Sequence, residues 1–357
     1  MEKRRRQQKS VKNEYNNFNE PKKRFKNNKK NKLLIIGIVI AIIILAVIVT
    51  IYLFARSKLG KMQYEELNKD ELGINNNLYN EVETTLSKKE MSQIINIALF
   101  GSDSRDINAP ESGRSDTIII ASINPIKKNV KLISIPRDTY VTVKGYGKTK
   151  INHAYAYGKE QLSIRTINEN FGLNIDKYVT INFTGLADII DAIGGINANI
   201  TKAEMEYIND GVTIWGDLGD KPNRTKLSSS GNVKLNGTQA LVHSRNRTTG
   251  GSDFDRANKQ REVLEAIMKK VSNMSKDKIL GLIEPILEKV KTNISPEEYM
   301  GLFAKLFPDI KSYSNNLISI QIPSTEYSKG QMISGVYYFV TDLSKTKSDF
   351  QENIFNK

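Results

Sequence analysis

The sequence predicts an α/β protein, in which a single domain with a central mixed β-sheet flanked by helices is preceded by one N-terminal transmembrane helix. Three observations lead to this prediction. One long apolar run stands near the N-terminus, short apolar runs alternate with stripes at helical spacing from Ile94 onward, and Gly or Asn-Pro breaks separate these segments. With 357 residues, of which 39% are apolar, the chain is long enough to bury a substantial core.

The N-terminal 55 residues predict a membrane anchor. Residues 1–32 carry 13 Lys and Arg against three Glu with few apolar residues, so we expect a basic, disordered, cytoplasmic tail. Residues 33–55 form the predicted transmembrane helix, because residues 33–54 contain no charge and span about 30 Å of hydrocarbon. The run is too long for a cleaved signal peptide. We therefore expect a single-pass signal-anchor in the cell membrane, with the N-terminus cytoplasmic and the domain extracellular.

Residues 56–92 are interpreted as a stalk or linker. Leu78, Val82 and Leu86 recur at helical spacing, so we expect part of this segment to be an amphipathic helix that lies on the domain. The main domain then begins with predicted strands at 94–100, 117–123 and 130–135. A helix at about 159–171, a strand at 178–183 and a helix that ends at Gly194-Gly195 follow. This alternation favours a sheet with helices on its faces.

A polar, Gly-rich insertion at 209–232 precedes a short predicted helix at 236–243 and a long helix that begins near Phe254. Ser295-Pro296 with Glu298 is typical of a helix N-terminus. The last strands are predicted at 317–322 and 336–341. We assign 93–271 to the main domain and 272–357 to helices and strands packed on the same domain.

Cysteine and histidine usage excludes several kinds of site. The chain has no cysteine, which removes thiol catalysis and zinc–thiolate sites. His153 and His243 are the only histidines, so a His-rich metal site is excluded and a Ser–His–Asp triad has little to draw on. His243 lies close to Arg245 in sequence, and it fits an active-site residue and a half-buried helix residue equally well.

The arginines are distributed unevenly. After Arg56 the chain contains nine, all between Arg105 and Arg261, whereas the final 96 residues contain twelve lysines and no arginine. Seven of the nine fall in three segments that begin or end apolar elements: GSDSRDINAPESGRSDT, SIPRD and HSRNRTTGGSDFDRANKQR. Arg is the residue suited to planar, bidentate binding of phosphate. Surface ion pairs would explain one such cluster, but three clusters favour a phosphate site.

Aspartates among these arginines suggest a hard cation. Mg²⁺ is held in proteins by one or two carboxylates, with substrate phosphates completing its shell. Asp103 and Asp116 are the candidates, and turn capping by either side chain is the alternative.

From Ile94 to Val271 the chain resembles the LytR-CpsA-Psr family of Gram-positive cell-envelope proteins. The resemblance rests on NIALFGSDSR, GRSDTIIIASINPIKKNVKLISIPRDTYV, KTKINHAYAYG, DAIGG and LNGTQALVHSRNRTTGGSDFDRANKQ, which occur in this order. It implies that 93–271 is a catalytic domain. The expected function is transfer of an anionic glycopolymer, of teichoic acid or capsule type, from an undecaprenyl-pyrophosphate carrier to peptidoglycan with phosphodiester formation.

The resemblance also implies roles for individual residues. Mg²⁺, or Mn²⁺ in its place, would be held by Asp103 and Asp116. The residues expected to bind pyrophosphate are Arg105, Arg114, Arg137, Arg245, Arg247, Arg256 and Gln260. The residues expected to act in catalysis are Asp103, Arg105, Arg137, Asp253 and Arg256, and which aspartate takes the proton of the acceptor hydroxyl stays open.

Two positions depart from the family pattern. Val141 stands where many members have a further Arg, so a phosphate contact is missing or comes from another residue such as Lys148 or Lys150. Lys259 also stands where Arg is common.

The expected partners are a polyprenyl-pyrophosphate-linked glycopolymer, peptidoglycan and the membrane. No nucleic acid is expected, because the basic tail directly precedes the anchor and is explained by topology and anionic lipid. Two other functions stay open at this point. One is a non-catalytic, membrane-anchored receptor or regulator that binds envelope polyanions or lipid pyrophosphate, and the other is a lipid-pyrophosphate hydrolase.

Overall fold

The computed structural model describes residues 63–102, 113–217, 223–246 and 253–356, without the side chains of Asp253 and Phe254. The chain divides into units at 1–54 and 55–357, and all described residues belong to the second. The predicted tail and transmembrane helix lie outside the described residues. Within the described ranges, none of the helices combines the length and apolar character needed to cross a bilayer.

A mixed sheet forms the centre of the domain, as the sequence predicts. In the described part of the chain it has seven strands in the order β1-β10-β7-β2-β3-β4-β11, with three short two-stranded sheets beside it. The strands are β1 (Gln63–Tyr64), β2 (Ile95–Ser102), β3 (Ser115–Asn124), β4 (Asn129–Ser134), β5 (Tyr140–Val143), β6 (Gly147–Lys150), β7 (Lys177–Asn182), β8 (Ile196–Ile200), β9 (Gly231–Leu235), β10 (Val290–Thr292), β11 (Leu317–Gln321), β12 (Ser328–Ile333) and β13 (Val336–Thr341). The pairs β2–β7 and β4–β11 are parallel, whereas β2–β3 and β3–β4 are antiparallel.

Helices cover both faces of this sheet. They are α1 (Leu78–Glu81), α2 (Lys88–Met91), α3 (His153–Phe171), α4 (Phe183–Ala192), α5 (Lys202–Trp215), α6 (Gly237–Ser244), α7 (Asp253–Ser272), α8 (Lys276–Leu287), α9 (Pro296–Leu306), α10 (Ile310–Asn315) and α11 (Leu343–Gln351). The backbone of α3 departs from helical geometry at Gly158 and Lys159, so that a short first segment precedes the main helix. Ser295 and Glu298 cap α9 reciprocally, as the sequence predicts.

The two faces of the sheet bury different cores, because side chains alternate along each strand. On β3, Ile118 and Ile120 pack with α3 and the C-terminal segment. Ile119 points to the opposite face, where it packs near α7 and α10. Both faces are covered, so β3 contains the continuous apolar run 118–121 rather than an alternating pattern.

The segment 56–92, predicted as a stalk, packs into the domain over its described part. Leu72 and Leu78 are fully buried in the core on the α3 face. The helical spacing of Leu78, Val82 and Leu86 is misleading: α1 ends at Glu81 and Val82 is extended, with ψ of 122°. Burial in the tertiary core therefore explains these apolar residues better than an amphipathic helix does.

The C-terminal segment is integral to the same domain. Strands β10 and β11 join the main sheet on opposite sides, and Phe350, Ile354 and Phe355 enter the core on the α3 face. The expected insertion at 209–232 also differs from the structure, because α5 continues to Trp215. Ile208 and Val212, four residues apart, are buried and hold this part in the helix.

Candidate active site

The site begins where β3 starts and β4 ends. These strands are antiparallel, so the first residues of β3 lie beside the chain that leaves β4. Asp116 on β3 accepts a hydrogen bond from Arg137, with Arg137 Nη1 2.6 Å from Asp116 Oδ1. The other carboxylate oxygen of Asp116 lies 3.6 Å from Nη1 of Arg256 in the first turn of α7. Residues from three distant segments thus meet around one carboxylate.

A second carboxylate extends this cluster. Asp138 Oδ2 lies 3.6 Å from Arg137 Nε, and Asp138 Oδ1 lies 2.6 Å from Lys150 Nζ. Lys150 is therefore held beside the arginine cluster by Asp138, whereas Lys148 is exposed on the hairpin of β5 and β6. Val141, where the family resemblance implies a further Arg, is buried in the core.

Arg245 is held by aromatic rings. Its guanidinium carbon lies 4.2 Å from the ring centre of Phe183 and 4.5 Å from that of Trp215. Guanidinium groups are attracted to the faces of aromatic rings at such distances. Tyr207 also donates a hydrogen bond of 3.4 Å to the backbone oxygen of Arg245. These contacts fix the base of the side chain and the plane of its charged group.

An apolar cavity of about 410 Å³ opens beside these charges, between the sheet and helices α4, α5 and α7. Its wall includes Ile119 and Val179 from the sheet, Leu186 from α4, and Val263 and Ile267 from α7. Its polar lining includes Asp116, Arg245, Arg256 and Gln260. A ligand that fits both parts has an apolar tail and an anionic head.

Arg114 and His153 lie at the outer side of the cluster. Arg114 is exposed. Burial lowers the pKa of His153, and the positive charges of Arg114 and Lys150 lower it further. His153 is therefore neutral near pH 7, and its Nδ1 lies 2.8 Å from Thr149 Oγ1.

Three polar residues from the third arginine-rich segment, HSRNRTTGGSDFDRANKQR, have structural contacts instead. Arg261 is buried and donates to Ser134 Oγ and Asn258 Oδ1, so it ties α7 to β4, and burial lowers the pKa of its guanidinium. Lys259 pairs with Glu204 at 2.7 Å and with Glu262 at 3.0 Å. His243 is a buried helix residue whose Nε2 lies 3.4 Å from Glu262 Oε2.

Asp103, Arg105, Arg247 and the side chain of Asp253 lie outside the described residues, so their predicted roles stay predictions. Of the other predicted site residues, Arg114 is exposed. The structure brings the rest together: Asp116, Arg137, Arg245, Arg256 and Gln260. Sequence reasoning missed the aromatic contacts of Arg245. The available signals were that Trp215 is the only tryptophan and that Phe183 directly follows an apolar strand.

The sequence of this chain is similar to those of several named teichoic acid transferases. The polyisoprenyl-teichoic acid–peptidoglycan teichoic acid transferase TagU of Bacillus mycoides is 34% identical over 272 residues, which cover 74% of this chain and 79% of the relative. TagU of Bacillus licheniformis is 31% identical over 264 residues, with coverages of 72% and 77%.

Solved structures share the fold. TagT bound to LI-WTA superposes with a TM-score of 0.61 at 25% identity, covering 82% of this chain and all of TagT. Bacillus subtilis TagV gives a TM-score of 0.57 at 28% identity, with coverages of 73% and 97%. The model of the LytR_cpsA_psr family matches residues 49–354, so the resemblance is confirmed and this chain belongs to the LytR_cpsA_psr family.

Proposed function

We propose that this protein transfers an anionic glycopolymer of the teichoic acid type from a polyprenyl-pyrophosphate carrier to peptidoglycan. The observation that carries the proposal is the Asp116–Arg137–Arg256 cluster at the mouth of a 410 Å³ apolar cavity. The relatives named as teichoic acid transferases support it, as does the similarity to TagT bound to LI-WTA.

The two parts of the site match the two parts of the donor. The polyprenyl chain enters the cavity between the sheet and α7, where Ile119, Val263 and Ile267 exclude water from it. The pyrophosphate lies at the mouth, where Arg137, Arg245 and Arg256 offer planar donors. Arg105, Arg114 and Arg247 complete the proposed pyrophosphate site.

The reaction is a phosphoryl transfer. A hydroxyl oxygen of the peptidoglycan acceptor attacks the phosphorus that is linked to the glycopolymer, and a phosphodiester forms. The bond from that phosphorus to the bridging oxygen breaks, and polyprenyl phosphate leaves with the bridging oxygen and its electron pair. The hydroxyl proton passes to a carboxylate, for which Asp103 and Asp253 are the candidates. Arginines stabilise the charge on the transferred and departing phosphates, which is the main requirement of such reactions.

A Mg²⁺ ion, or Mn²⁺ in its place, fits the same site. Asp116 presents a half-buried carboxylate among phosphate-binding arginines, and a cation of this kind needs only one or two carboxylates beside its phosphates. We propose Asp103 as the second ligand. Bound there, the ion would neutralise phosphate charge. Titration of the apo-protein with Mn²⁺, followed by paramagnetic broadening, should show weaker binding after Asp116→Asn.

The sequence of residues 1–55 supports a membrane location for this chemistry. We propose that the apolar run 33–54 anchors the chain and leaves the domain outside the cell, close to a carrier that is itself a membrane lipid. Capsular polysaccharide is an alternative glycopolymer that the same site would accept.

The test uses the purified full-length chain in detergent with Mg²⁺, a polyprenyl-pyrophosphate-linked saccharide and uncrosslinked peptidoglycan oligomers. We expect mass spectrometry to detect the phosphodiester-linked product with the wild type and not with Arg256→Ala. Lipid binding without product for any acceptor would contradict the proposal in favour of a receptor. Free phosphate release that needs no acceptor would contradict it in favour of a hydrolase.

A further inference from the structure

Two exposed tyrosines stack face to face beside the proposed active site. The ring centres of Tyr146 and Tyr157 lie 4.1 Å apart, and the rings are nearly parallel at 14°. Tyr146 is 54% exposed and Tyr157 is 44% exposed, so the pair presents its aromatic surface to solvent instead of burying it. We call Tyr146 and Tyr157 the tyrosine platform.

Local structure holds the platform in place. Tyr146 lies in the turn between β5 and β6, where Gly145 and Gly147 adopt φ of +82° and +74°, which glycine accommodates without strain. Tyr157 closes the first segment of α3, just before the departure from helical geometry at Gly158. His153, which contacts Thr149 on β6, packs edge-on against Tyr157 at 5.9 Å.

The segment that carries the platform contacts the arginine cluster. The backbone N–H of Asn152 donates to the backbone oxygen of Arg137 at 3.2 Å. Lys150, on the strand that follows the platform's turn, pairs with Asp138 beside Arg137. One short segment, 146–157, thus carries both tyrosines and borders the phosphate-binding residues.

The platform and the lipid cavity belong to opposite faces of the sheet. Helix α3 packs on the face that buries Ile118 and Ile120. The cavity opens on the other face, where Ile119 and Val179 line it. Asp116 lies where β3 begins and Arg137 follows the end of β4, between these two faces. The cavity and the platform therefore approach the proposed reacting phosphorus from different sides.

We propose that the tyrosine platform binds a pyranose ring of the acceptor glycan. This inference rests on the proposed transferase function. In phosphoryl transfer the attacking and leaving oxygens lie roughly in line with the phosphorus. The departing polyprenyl phosphate occupies the cavity side, so the acceptor approaches from the platform side. A pyranose has an apolar C–H face and a polar rim, which suit the apolar ring face and the polar hydroxyl of tyrosine.

The test compares Tyr146→Ala and Tyr157→Ala with the wild type in the full-length chain. We expect the KM for peptidoglycan oligomer to rise by about three- to tenfold, the size of one aromatic stacking contact, with kcat nearly unchanged. The Phe variants at both positions should retain most of the wild-type affinity. Tyr64→Ala is the matched control, because Tyr64 is 47% exposed on the edge strand β1, four strands from β3 in the sheet.

Two further readouts separate this inference from its alternatives. Donor affinity, measured with the polyprenyl-pyrophosphate-linked saccharide alone, should not change, and a loss there would assign the platform to the donor sugar and overturn the proposal. Saturation-transfer NMR with peptidoglycan oligomer alone should detect binding that both Ala variants lose. This measurement needs no turnover, so it tests the platform even if product formation fails. Unchanged acceptor binding in both variants would overturn the proposal.

Discussion

Replacing Arg137 with alanine should slow glycopolymer transfer by about two to three orders of magnitude and leave the protein folded. Arg137 contacts Asp116 at 2.6 Å and Asp138 at 3.6 Å, and its side chain is 21% exposed. Each carboxylate keeps another cationic neighbour when Arg137 is removed: Arg256 lies 3.6 Å from Asp116, and Lys150 lies 2.6 Å from Asp138. Neither carboxylate is therefore stranded without a positive neighbour.

These contacts set the expected magnitudes. A partly exposed ion pair whose partners stay paired contributes about 1–2 kcal/mol to the free energy of unfolding. Loss of one donor that stabilises developing negative charge lowers kcat by about 10²–10³, which corresponds to about 3–4 kcal/mol of transition-state stabilisation. The effect on activity should therefore exceed the effect on stability. Arg137→Lys keeps the charge but not the planar, two-pronged donor, so we expect partial activity.

The assay measures kcat for product formation and the free energy of unfolding in denaturant for the same preparations. Arg165→Ala is a matched control, because Arg165 is 17% exposed and pairs with Glu169 at 2.8 Å on α3. We expect a similar loss of stability and nearly full activity in the control. Wild-type kcat in Arg137→Ala, or an equal loss of activity in Arg165→Ala, would refute the reasoning.

Three further predictions concern the donor site, the core and pH. Trp215→Ala should weaken donor binding by about fivefold in a titration, because one aromatic contact of Arg245 is lost, and Trp215→Phe should restore most of it. Phe350→Ala should lower the free energy of unfolding by about 3–5 kcal/mol in denaturant, since Phe350 is fully buried; a loss below 1 kcal/mol would contradict its role in the core. The pKa of His153 is lowered from 6.5, so the unfolded chain binds this proton at higher pH than the folded protein does. Stability should therefore decline as pH falls below 6.5, and His153→Gln should flatten that decline in unfolding curves.

The elements with a strong local pattern were predictable from the sequence. The strand predicted at 117–123 is Ser115–Asn124 in the structure, and the strand predicted at 336–341 has those same bounds. Apolar runs between breaks specify such strands locally. Strand partners depend on distant residues: β1 pairs with β10 across more than two hundred residues, and no local pattern in the segment 56–92 indicates it.

The candidate site likewise combines features that residue types predict with features that only packing decides. Arginine clustering pointed to the segments that we propose to bind phosphate, because residue type alone carries that chemical information. It did not distinguish Arg256 from Arg261, which lie five residues apart on α7 and so project about 140° apart around the helix axis. Packing decides that Arg256 faces Asp116 while Arg261 ties α7 to β4.

Composition and motifs were sufficient for the family, the phosphate chemistry and the mixed α/β class, since each follows from residue types and their local spacing. The tertiary structure alone decided which side chains meet. Phe183 and Trp215 flank Arg245 only because α4, α5 and α6 pack together, and Tyr146 stacks on Tyr157 only because a hairpin turn folds back on α3. Contacts of this kind depend on how separate elements pack against one another, and no local pattern in the sequence encodes them.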